Sequence, residues 1–366
     1  MKKTALSIAA LFAGILIIYS FSRPEKSAAN NVANVQSISA IAFGPNGILF
    51  IGDSKSATVF ALNTKDIKKA KPSAYDIKNI DQKIAAALGT EAKNITITDM
   101  AVNPVSKKLY IAIQNSDGTP AIVHVDATGA IQAVSLKDVN YSSITLNDVV
   151  AEDAKDGRGR PLRMSTISDL GYDNGKVYVS GLSNKEFSST FRSIPFPFGD
   201  KQEQASLEMY HGAHGRFETT SPIRSFTISK VNGKDYLIAS YTCTPLVLFP
   251  MDELKPGSHV KGRTVAEMGS GNSPIDMISL QNGNEWFLMM ANTKHPVAKV
   301  DYKNIAAFES TLTEPVKGGG TAGVQFTATP MTGVLQMDKL DDKQVVMLQK
   351  KTNGDIDLST TNEAIF

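Results

Sequence analysis

A β-hairpin unit recurs along this chain, and it constrains the fold more than any other feature of the sequence. Each unit has a short strand, a turn, a more apolar strand with an aromatic residue near its middle, and a third strand. In four of the six units an Asn-Gly pair lies in the first turn. Asn-Gly between two β-type runs favours a two-residue hairpin, because both turn residues need positive φ. The repeat therefore predicts an all-β repeat architecture.

The six units extend from residue 37 to residue 360. They cover residues 37–63, 95–126, 166–194, 222–250, 274–301 and 333–360. Equivalent positions in their first strands are 51 to 70 residues apart, which is enough chain for four strands and their loops: Ala40, Asp99, Asp169, Ser225, Asp276 and Gln336. Between the first two units, residues 81–88 form an amphipathic run that predicts a short helix.

Six units of this kind predict a six-bladed β-propeller, because radial repetition leaves only short, protected sheet edges. Their second strands are apolar on both faces, as expected of strands covered by neighbouring blades: residues 109–113, 177–181 and 286–290. The alternative is a seven-bladed ring in which residues 128–164 form a degenerate blade. Little chain follows Thr360, so we predict that the N-terminal strand Asn31–Gln36 closes the last blade.

The first unit resembles a known group of propellers. The run AIAFGPNGILFIGDSKSATVFAL (residues 40–62) is similar to the blades of NHL-repeat and gluconolactonase-like proteins, and Asp53 stands where that pattern has its final Asp. The resemblance covers about twenty-five residues well and the other units loosely. It implies a six-bladed fold, and the gluconolactonase-like enzymes imply a divalent metal held on the ring axis. A fold alone does not define an activity.

The N-terminus has the organisation of an export signal. Lys2 and Lys3 precede an apolar run over residues 5–21, and small residues follow at Ser27-Ala28-Ala29. This pattern predicts a signal peptide over residues 1–29 and a single propeller domain over residues 30–366. The apolar run is also long enough for an uncleaved signal-anchor. We expect a periplasmic or secreted protein, with an inner-membrane anchor at residues 5–21 as the alternative.

Charge and cysteine content exclude several classes of function. The formal net charge is +2 with both signs interspersed, so no basic patch indicates a nucleic-acid partner. Any membrane contact is expected only through the N-terminal segment. Cys243 is the only cysteine, which excludes an intrachain disulfide and covalently attached haem. We interpret it as a small buried apolar side chain.

Three aspartates occupy the same place in different units. Asp99, Asp169 and Asp276 lie early in the first strands of the second, third and fifth units. Ring symmetry would direct all three carboxylates at the central channel, where oxygen ligands suit Ca²⁺ or another divalent cation. The alternative is that each Asp binds local backbone N–H groups.

Two further sets of residues are candidates for binding or catalysis. Polar residues recur just after the second strands and are candidate ligand-binding positions: Asp53, Asn115, Asn184, Tyr241 and Asn292. They are equally explained as turn residues. Residues 195–221 predict a long insertion loop over the channel, in which His211 and His214 could act as a base or bind metal and Arg216 could bind an anionic group. An ordinary surface loop is the alternative.

No recognisable catalytic set is present, so we interpret the chain first as a scaffold. In that interpretation, loops at the channel mouth bind a small ligand or a periplasmic protein, and residues such as Phe196, Phe198 and Tyr210 are exposed. The second interpretation is a metal-dependent hydrolase of the lactonase type, with the three aspartates converging on a metal below a histidine. A quinone-dependent sugar dehydrogenase is a more distant alternative.

Overall fold

A computed structural model describes residues 32–362. The predicted signal segment, residues 1–29, lies outside the described residues. Within residues 32–362, six sheets account for 27 strands, all antiparallel apart from one strand pair, and they form a six-bladed β-propeller as predicted. We number the blades by the chain order of their first strands. Neither described helix is long and apolar enough to cross a membrane.

The first third of the chain supplies blades 1 and 2 and one strand of blade 6. Its elements are β1 (Ala40–Phe43), β2 (Ile48–Asp53), β3 (Thr58–Asn63), β4 (Asp76–Ile77), α1 (Ile80–Ala87), β5 (Ile95–Val102), β6 (Leu109–Asn115), β7 (Pro120–Val125), β8 (Ile131–Ala133) and β9 (Tyr141–Thr145). Helix α1 confirms the predicted helical segment. Blade 1 is β1-β2-β3-β9, and blade 2 is β5-β6-β7-β8.

The middle third supplies blades 3 and 4. Its strands are β10 (Asp169–Asp173), β11 (Lys176–Leu182), β12 (Ser189–Pro195), β13 (Glu203–His211), β14 (Arg216–Glu218), β15 (Ser225–Val231), β16 (Lys234–Ser240), β17 (Pro245–Pro250), β18 (His259–Lys261) and β19 (Arg263–Met268). Strands β10 to β14 form blade 3, where β18 also pairs with β13. Residues 195–221 are therefore not a loop over the channel. Residues 203–211 and 216–218 form the two outer strands of blade 3, and within the first of these strands buried and half-buried residues alternate over residues 204–209.

The last third completes blades 4, 5 and 6. Its elements are β20 (Pro274–Asn282), β21 (Glu285–Asn292), β22 (Ala298–Asp301), α2 (Tyr302–Ala307), β23 (Thr321–Gly323), β24 (Thr327–Ala328), β25 (Val334–Lys339), β26 (Gln344–Lys350) and β27 (Ile356–Asn362). Blade 4 is β15-β16-β17-β19-β23, blade 5 is β20-β21-β22-β24, and blade 6 is β25-β26-β27-β4.

The ring is closed by a different segment from the one predicted. Strand β4 pairs with β27, with Ile77 opposite Leu358, so the outer strand of blade 6 does come from the N-terminal part of the chain. The prediction that Asn31–Gln36 supplies it is wrong. Val32 forms a bridge with Lys137 instead, and the N–H of Gln36 donates to Asp53 Oδ2 at 2.7 Å. Apolar Ala33 and Val35 are buried between blades 1 and 2, which holds this segment there.

The blades do not follow one another around the ring in chain order. Blade 1 shares one buried cluster with blade 2 and another with blade 3, whereas blade 2 shares its other cluster with blade 6. The order around the ring is therefore 2-1-3-4-5-6. The chain leaves blade 1 after β3, adds β4 to blade 6, builds blade 2, and returns to blade 1 as β9. Strand β9 and the adjoining residues 128–164 are thus not a seventh blade.

Candidate functional site

The first strands of the blades direct acidic side chains at the central channel. Three of these strands have a register shift early in the strand, at Asp99, before Met277 and at Gln336. A bulge bends a strand and re-aims the side chains beside it. Asp99, Asp169 and Asp276 all line one central cavity, as their equivalent sequence positions predicted.

A fourth aspartate of the channel was missed by the sequence analysis. Asp338 also lines the cavity, two residues after Gln336 in β25. Side chains two residues apart on a strand share a face. This alternation is the sequence signal that identifies Asp338, but the spacing of the repeats points to Gln336 as the equivalent position.

These carboxylates connect neighbouring blades through backbone hydrogen bonds. Each accepts the N–H of a first-strand residue in the adjacent blade: Ile41 donates to Asp99 (2.6 Å), Phe226 to Asp169 (2.9 Å), Met337 to Asp276 (2.6 Å) and Val102 to Asp338 (2.7 Å). Three of them also accept the N–H of their own next residue, at 2.6–2.8 Å. All four bridges run in the same sense around the ring, so the aspartates have a structural role whatever else they do.

Burial raises the pKa of all four carboxyls. Desolvation is the largest cause, and it raises the pKa of Asp169 to about 7 and that of Asp338 to about 6. The pKa values of Asp99 and Asp276 are raised well above the ordinary value by burial and by the negative charges of other channel aspartates. Their side chains keep contact with the channel, since each residue is only partly buried.

The cavity has a volume of about 530 Å³ and is strongly acidic. It extends toward the ends of the first strands, where Asp341 and Asp342 add two more acids. Two lysines of its wall already have partners. Lys107 Nζ donates to the carbonyl of Leu340 at 3.0 Å, and Lys339 Nζ pairs with Asp342 at 2.9 Å. The positive charges of Lys339 and Lys107 lower the pKa of Asp338, and that of Arg224 lowers the pKa of Asp169. The charges that act on Asp99 and Asp276 are instead those of other aspartates.

The predicted metal site is not assembled by these aspartates. Among residues 32–362, the carboxylate oxygens of Asp99, Asp169 and Asp276 do not all lie within 4.8 Å of one another. A single Ca²⁺ needs oxygens at about 2.3–2.6 Å from the ion. In this geometry the three side chains instead bind backbone amides, which was the alternative explanation of their recurrence.

The polar residues that follow the second strands make local contacts, and none of the five lines the cavity. Asp53 is fully buried and accepts from Ser37 Oγ at 2.6 Å, which ties the N-terminal segment to β2. Asn115 donates to Thr119. The backbone N–H of Asn184 donates to the carbonyl of Asp148. Tyr241 is buried. The side-chain amide of Asn292 donates to the carbonyls of Met290 and Pro296. Their role in ligand binding stays a prediction.

The predicted catalytic residues His211, His214 and Arg216 lie together, but they do not line the channel cavity. All three contact one carboxylate, Glu218, between the ends of β13 and β14. His211 is buried, while His214 and Arg216 are exposed. The structure therefore brings neither His211 nor His214 over the aspartates.

Comparison with known proteins finds only distant structural neighbours. No family model and no curated protein matches the sequence. Among solved structures, an oxidoreductase (glucose dehydrogenase) from Thermus thermophilus is 10% identical with a TM-score of 0.37, covering 91% of this chain and 99% of its own. A streptogramin B lyase is 8% identical (TM-score 0.35; coverage 90% and 86%), and a luciferin-regenerating enzyme is 7% identical (TM-score 0.34; coverage 92% and 96%).

These neighbours are all at most 10% identical to this chain. At such identities and TM-scores they carry no argument about activity. The architecture is established by the six sheets of this chain itself.

Proposed function

We propose that this chain is a ligand-binding propeller whose central cavity takes a small organic cation, such as an amine. The observation that carries the proposal is the set of four partly buried aspartates with raised pKa values around one cavity. The proposed function is binding rather than catalysis, and the predicted export signal makes the periplasm or the exterior the expected compartment.

Electrostatics favours a positively charged ligand. The charges that act most strongly on Asp99 and Asp276 are those of other aspartates. Like charges in a site of low dielectric raise one another's pKa, and a cation placed among them reverses the effect. An ammonium group supplies both the charge and N–H donors for the carboxylate lone pairs that the backbone amides leave unused.

The size and walls of the cavity favour an organic cation over a bare ion. Its volume of about 530 Å³ lies within the range of roughly 300–1,000 Å³ that is typical of small-molecule sites. Phe43, Tyr172 and Phe226 add aromatic surface to the wall, which suits the alkyl part of an amine and permits cation–π contact.

The proposed ligand is a small molecule because the aromatic residues considered for a protein partner are not exposed. Phe196 and Phe198 pack against Phe50, with ring centroids 4.9 and 6.1 Å away. Tyr210 is also buried. The lactonase-type and quinone-dependent alternatives need a histidine beside the acids, and neither His211 nor His214 lines the cavity.

The proposal predicts calorimetric binding of an amine at one site per chain. We would titrate residues 30–366 with methylammonium, tetramethylammonium and 1,4-diaminobutane, and with Ca²⁺ and Na⁺ at equal ionic strength. We expect at least one amine to bind, and to bind more tightly at pH 8 than at pH 5, because Asp169 and Asp338 ionise between these values.

Two matched variants make this test specific. Asp276→Asn removes one channel charge and is expected to weaken amine binding at least tenfold, since a charged hydrogen bond contributes roughly 1.5–3 kcal/mol. Asp153→Asn, at an exposed position, should leave binding unchanged. Absence of amine binding, or equal binding by Asp276→Asn, would contradict the proposal. Tight Ca²⁺ binding instead would favour the divalent-cation alternative.

A further inference from the structure

Two histidines lie side by side in a tight hairpin at the edge of blade 3. His211 ends β13, and His214 lies in the turn that leads to β14. The N–H of Gly215 donates to the carbonyl of His211 at 2.8 Å, which closes the turn. The two imidazole centroids are 4.0 Å apart. The spacing of three residues therefore places both rings together although no helix is present.

A single carboxylate orients both rings. Glu218 contacts Nδ1 of His211 at 3.2 Å and Nδ1 of His214 at 2.7 Å, and Ser221 Oγ donates to the same carboxylate at 2.9 Å. A carboxylate accepts hydrogen bonds, so each Nδ1 carries a proton, and in the neutral ring each Nε2 keeps its lone pair. Carboxylates hold metal-binding histidines in this tautomer.

His211 Nε2 has no hydrogen-bond partner in the part of the chain that the structure describes, although the residue is only 2% exposed. A buried polar atom without a partner is unusual in folded proteins, since leaving it unpaired has a free-energy cost. Because Nδ1 carries the proton of the neutral ring, the orphaned Nε2 presents a lone pair. It needs a proton donor or a metal ion.

The only cysteine of the chain completes the cluster. Cys243 lies in the turn between β16 and β17 of blade 4, and its Sγ and one nitrogen of each histidine all lie within 4.8 Å of one another. The N–H of Cys243 donates to the carbonyl of Asn272 at 2.7 Å, which anchors the turn. The thiol is partly accessible.

The histidine turn is held against blade 4 by a buried acid. Glu267 Oε1 accepts the N–H of Gly212 at 2.5 Å, and Glu267 is 1% exposed. A Cβ at position 212 would lie 2.8 Å from Glu267 Cγ, so the close approach needs glycine. The two blades therefore bring the imidazoles and the thiol together through fixed backbone.

We propose that His211, His214 and Cys243 bind a transition-metal ion of the Zn²⁺ type through two Nε2 atoms and one thiolate. Nitrogen and sulfur donors select such ions over Ca²⁺ and Mg²⁺. A Zn²⁺ ion bonds nitrogen at about 2.0–2.1 Å and sulfur at about 2.3 Å. Three protein ligands leave a fourth position for water or a ligand, and Glu218 positions both imidazoles. This site shares no residue with the channel cavity and does not rest on the proposed function.

Direct metal titration tests the site. We would measure Zn²⁺ binding to residues 30–366 by calorimetry, with Ca²⁺ as the hard-ion control, and record the absorption spectrum of the Co²⁺ form. The expected result is one equivalent of Zn²⁺ and a Co²⁺ spectrum with a thiolate charge-transfer band. Less than about 0.1 equivalent of Zn²⁺, or a Co²⁺ spectrum without that band, would overturn the proposal.

Four variants assign the ligands. Cys243→Ser should abolish the thiolate band, and Cys243→Ser and His214→Ala should each weaken Zn²⁺ binding more than tenfold. Glu218→Gln should weaken it roughly 10- to 100-fold, as expected for loss of a carboxylate that orients histidine ligands. His259→Ala removes another histidine paired with a glutamate, Glu208, and should change nothing. Unchanged affinity in both Cys243→Ser and His214→Ala would contradict the assignment. Because His214 is exposed, its variant tests the site without disturbing the core.

Discussion

Replacing Gly181 by alanine is expected to destabilise the propeller by more than about 3 kcal/mol, which is among the larger effects of single substitutions. Gly181 is buried in β11, a central strand of blade 3. A Cβ there would lie 2.1 Å from the carbonyl oxygen of Thr166. The obstacle is backbone, which is held in place by the hydrogen bond from Ser168 N–H to the carbonyl of Ser180 at 2.9 Å.

Gly175→Ala is the matched control for this prediction. Gly175 has φ of +77°, but a Cβ there would meet no heavy atom within 4 Å. Its expected cost is therefore only the conformational one, about 1–2 kcal/mol. Urea denaturation of both variants and the wild type provides the comparison. If Gly181→Ala were no less stable than Gly175→Ala, the close packing of residues 166–168 on β11 would be disproved.

Stability is expected to fall as the pH rises from about 4 to about 7. The folded-state pKa of Asp169, about 7, lies above its unfolded value of about 3.9, so the native state binds more protons in this window. The stabilisation by the protonated Asp169 carboxyl is complete below the pKa of this group in the unfolded chain. It is lost as the pH rises through the pKa of this group in the folded protein. Allowing for water in the channel, Asp169 alone should account for about 2–4 kcal/mol.

Carboxyl groups with a lowered pKa change the stability of the protein in a different pH range. Glu218 is the clearest of them, because its hydrogen bonds to two histidines outweigh its burial. Its contribution to stability is present above its unfolded pKa and is lost only as the pH falls through the lower folded pKa. These groups therefore do not mask the trend between pH 4.5 and 7.

Asp169→Asn provides the direct check on the pH dependence. It removes the titrating group, so the slope of unfolding free energy against pH should decrease by about one proton across the window. Asp153→Asn, at an exposed position, should leave the slope unchanged. Stability measured by urea denaturation that is constant or rises from pH 4.5 to 7 would contradict the raised pKa values.

The local features of the fold could be predicted from the sequence because they depend on neighbouring residues. The Asn174-Gly175 and Asn232-Gly233 turns both have positive φ at both residues, as the hairpin signal requires. At the fifth unit the turn is instead Gly283-Asn284, and among its residues only Gly283 has positive φ. The six blades and the helix near residue 81 were predicted on similar local grounds.

The order of the blades could not be predicted, because it depends on long-range pairing of short strands. Strand β4 has two residues and β9 has five, and neither carries a pattern that identifies its partner strand. Consecutive elements usually lie side by side, which makes chain order the default expectation. Only the shared buried clusters reveal that blade 1 separates blades 2 and 3.

The candidate sites were predictable to different degrees. The repeat placed Asp99, Asp169 and Asp276 on one cavity, but it could not show that backbone amides of adjacent blades occupy their oxygens. Cys243 was interpreted as a buried apolar residue. Its approach to the histidines depends on two turns from different blades, about thirty residues apart in sequence, which no local pattern relates.

Carboxyl ¹³C NMR titration of the channel aspartates tests the central claim most directly, since that claim is an acidic cavity whose buried carboxyls have raised pKa values. Spectra of ¹³C-Asp-labelled protein, assigned by Asp169→Asn and Asp338→Asn, would give each pKa. The predicted result is a pKa of about 7 for Asp169 and about 6 for Asp338, lowered when an amine binds. Titration of both groups near the ordinary aspartate value of about 3.9 would contradict the account.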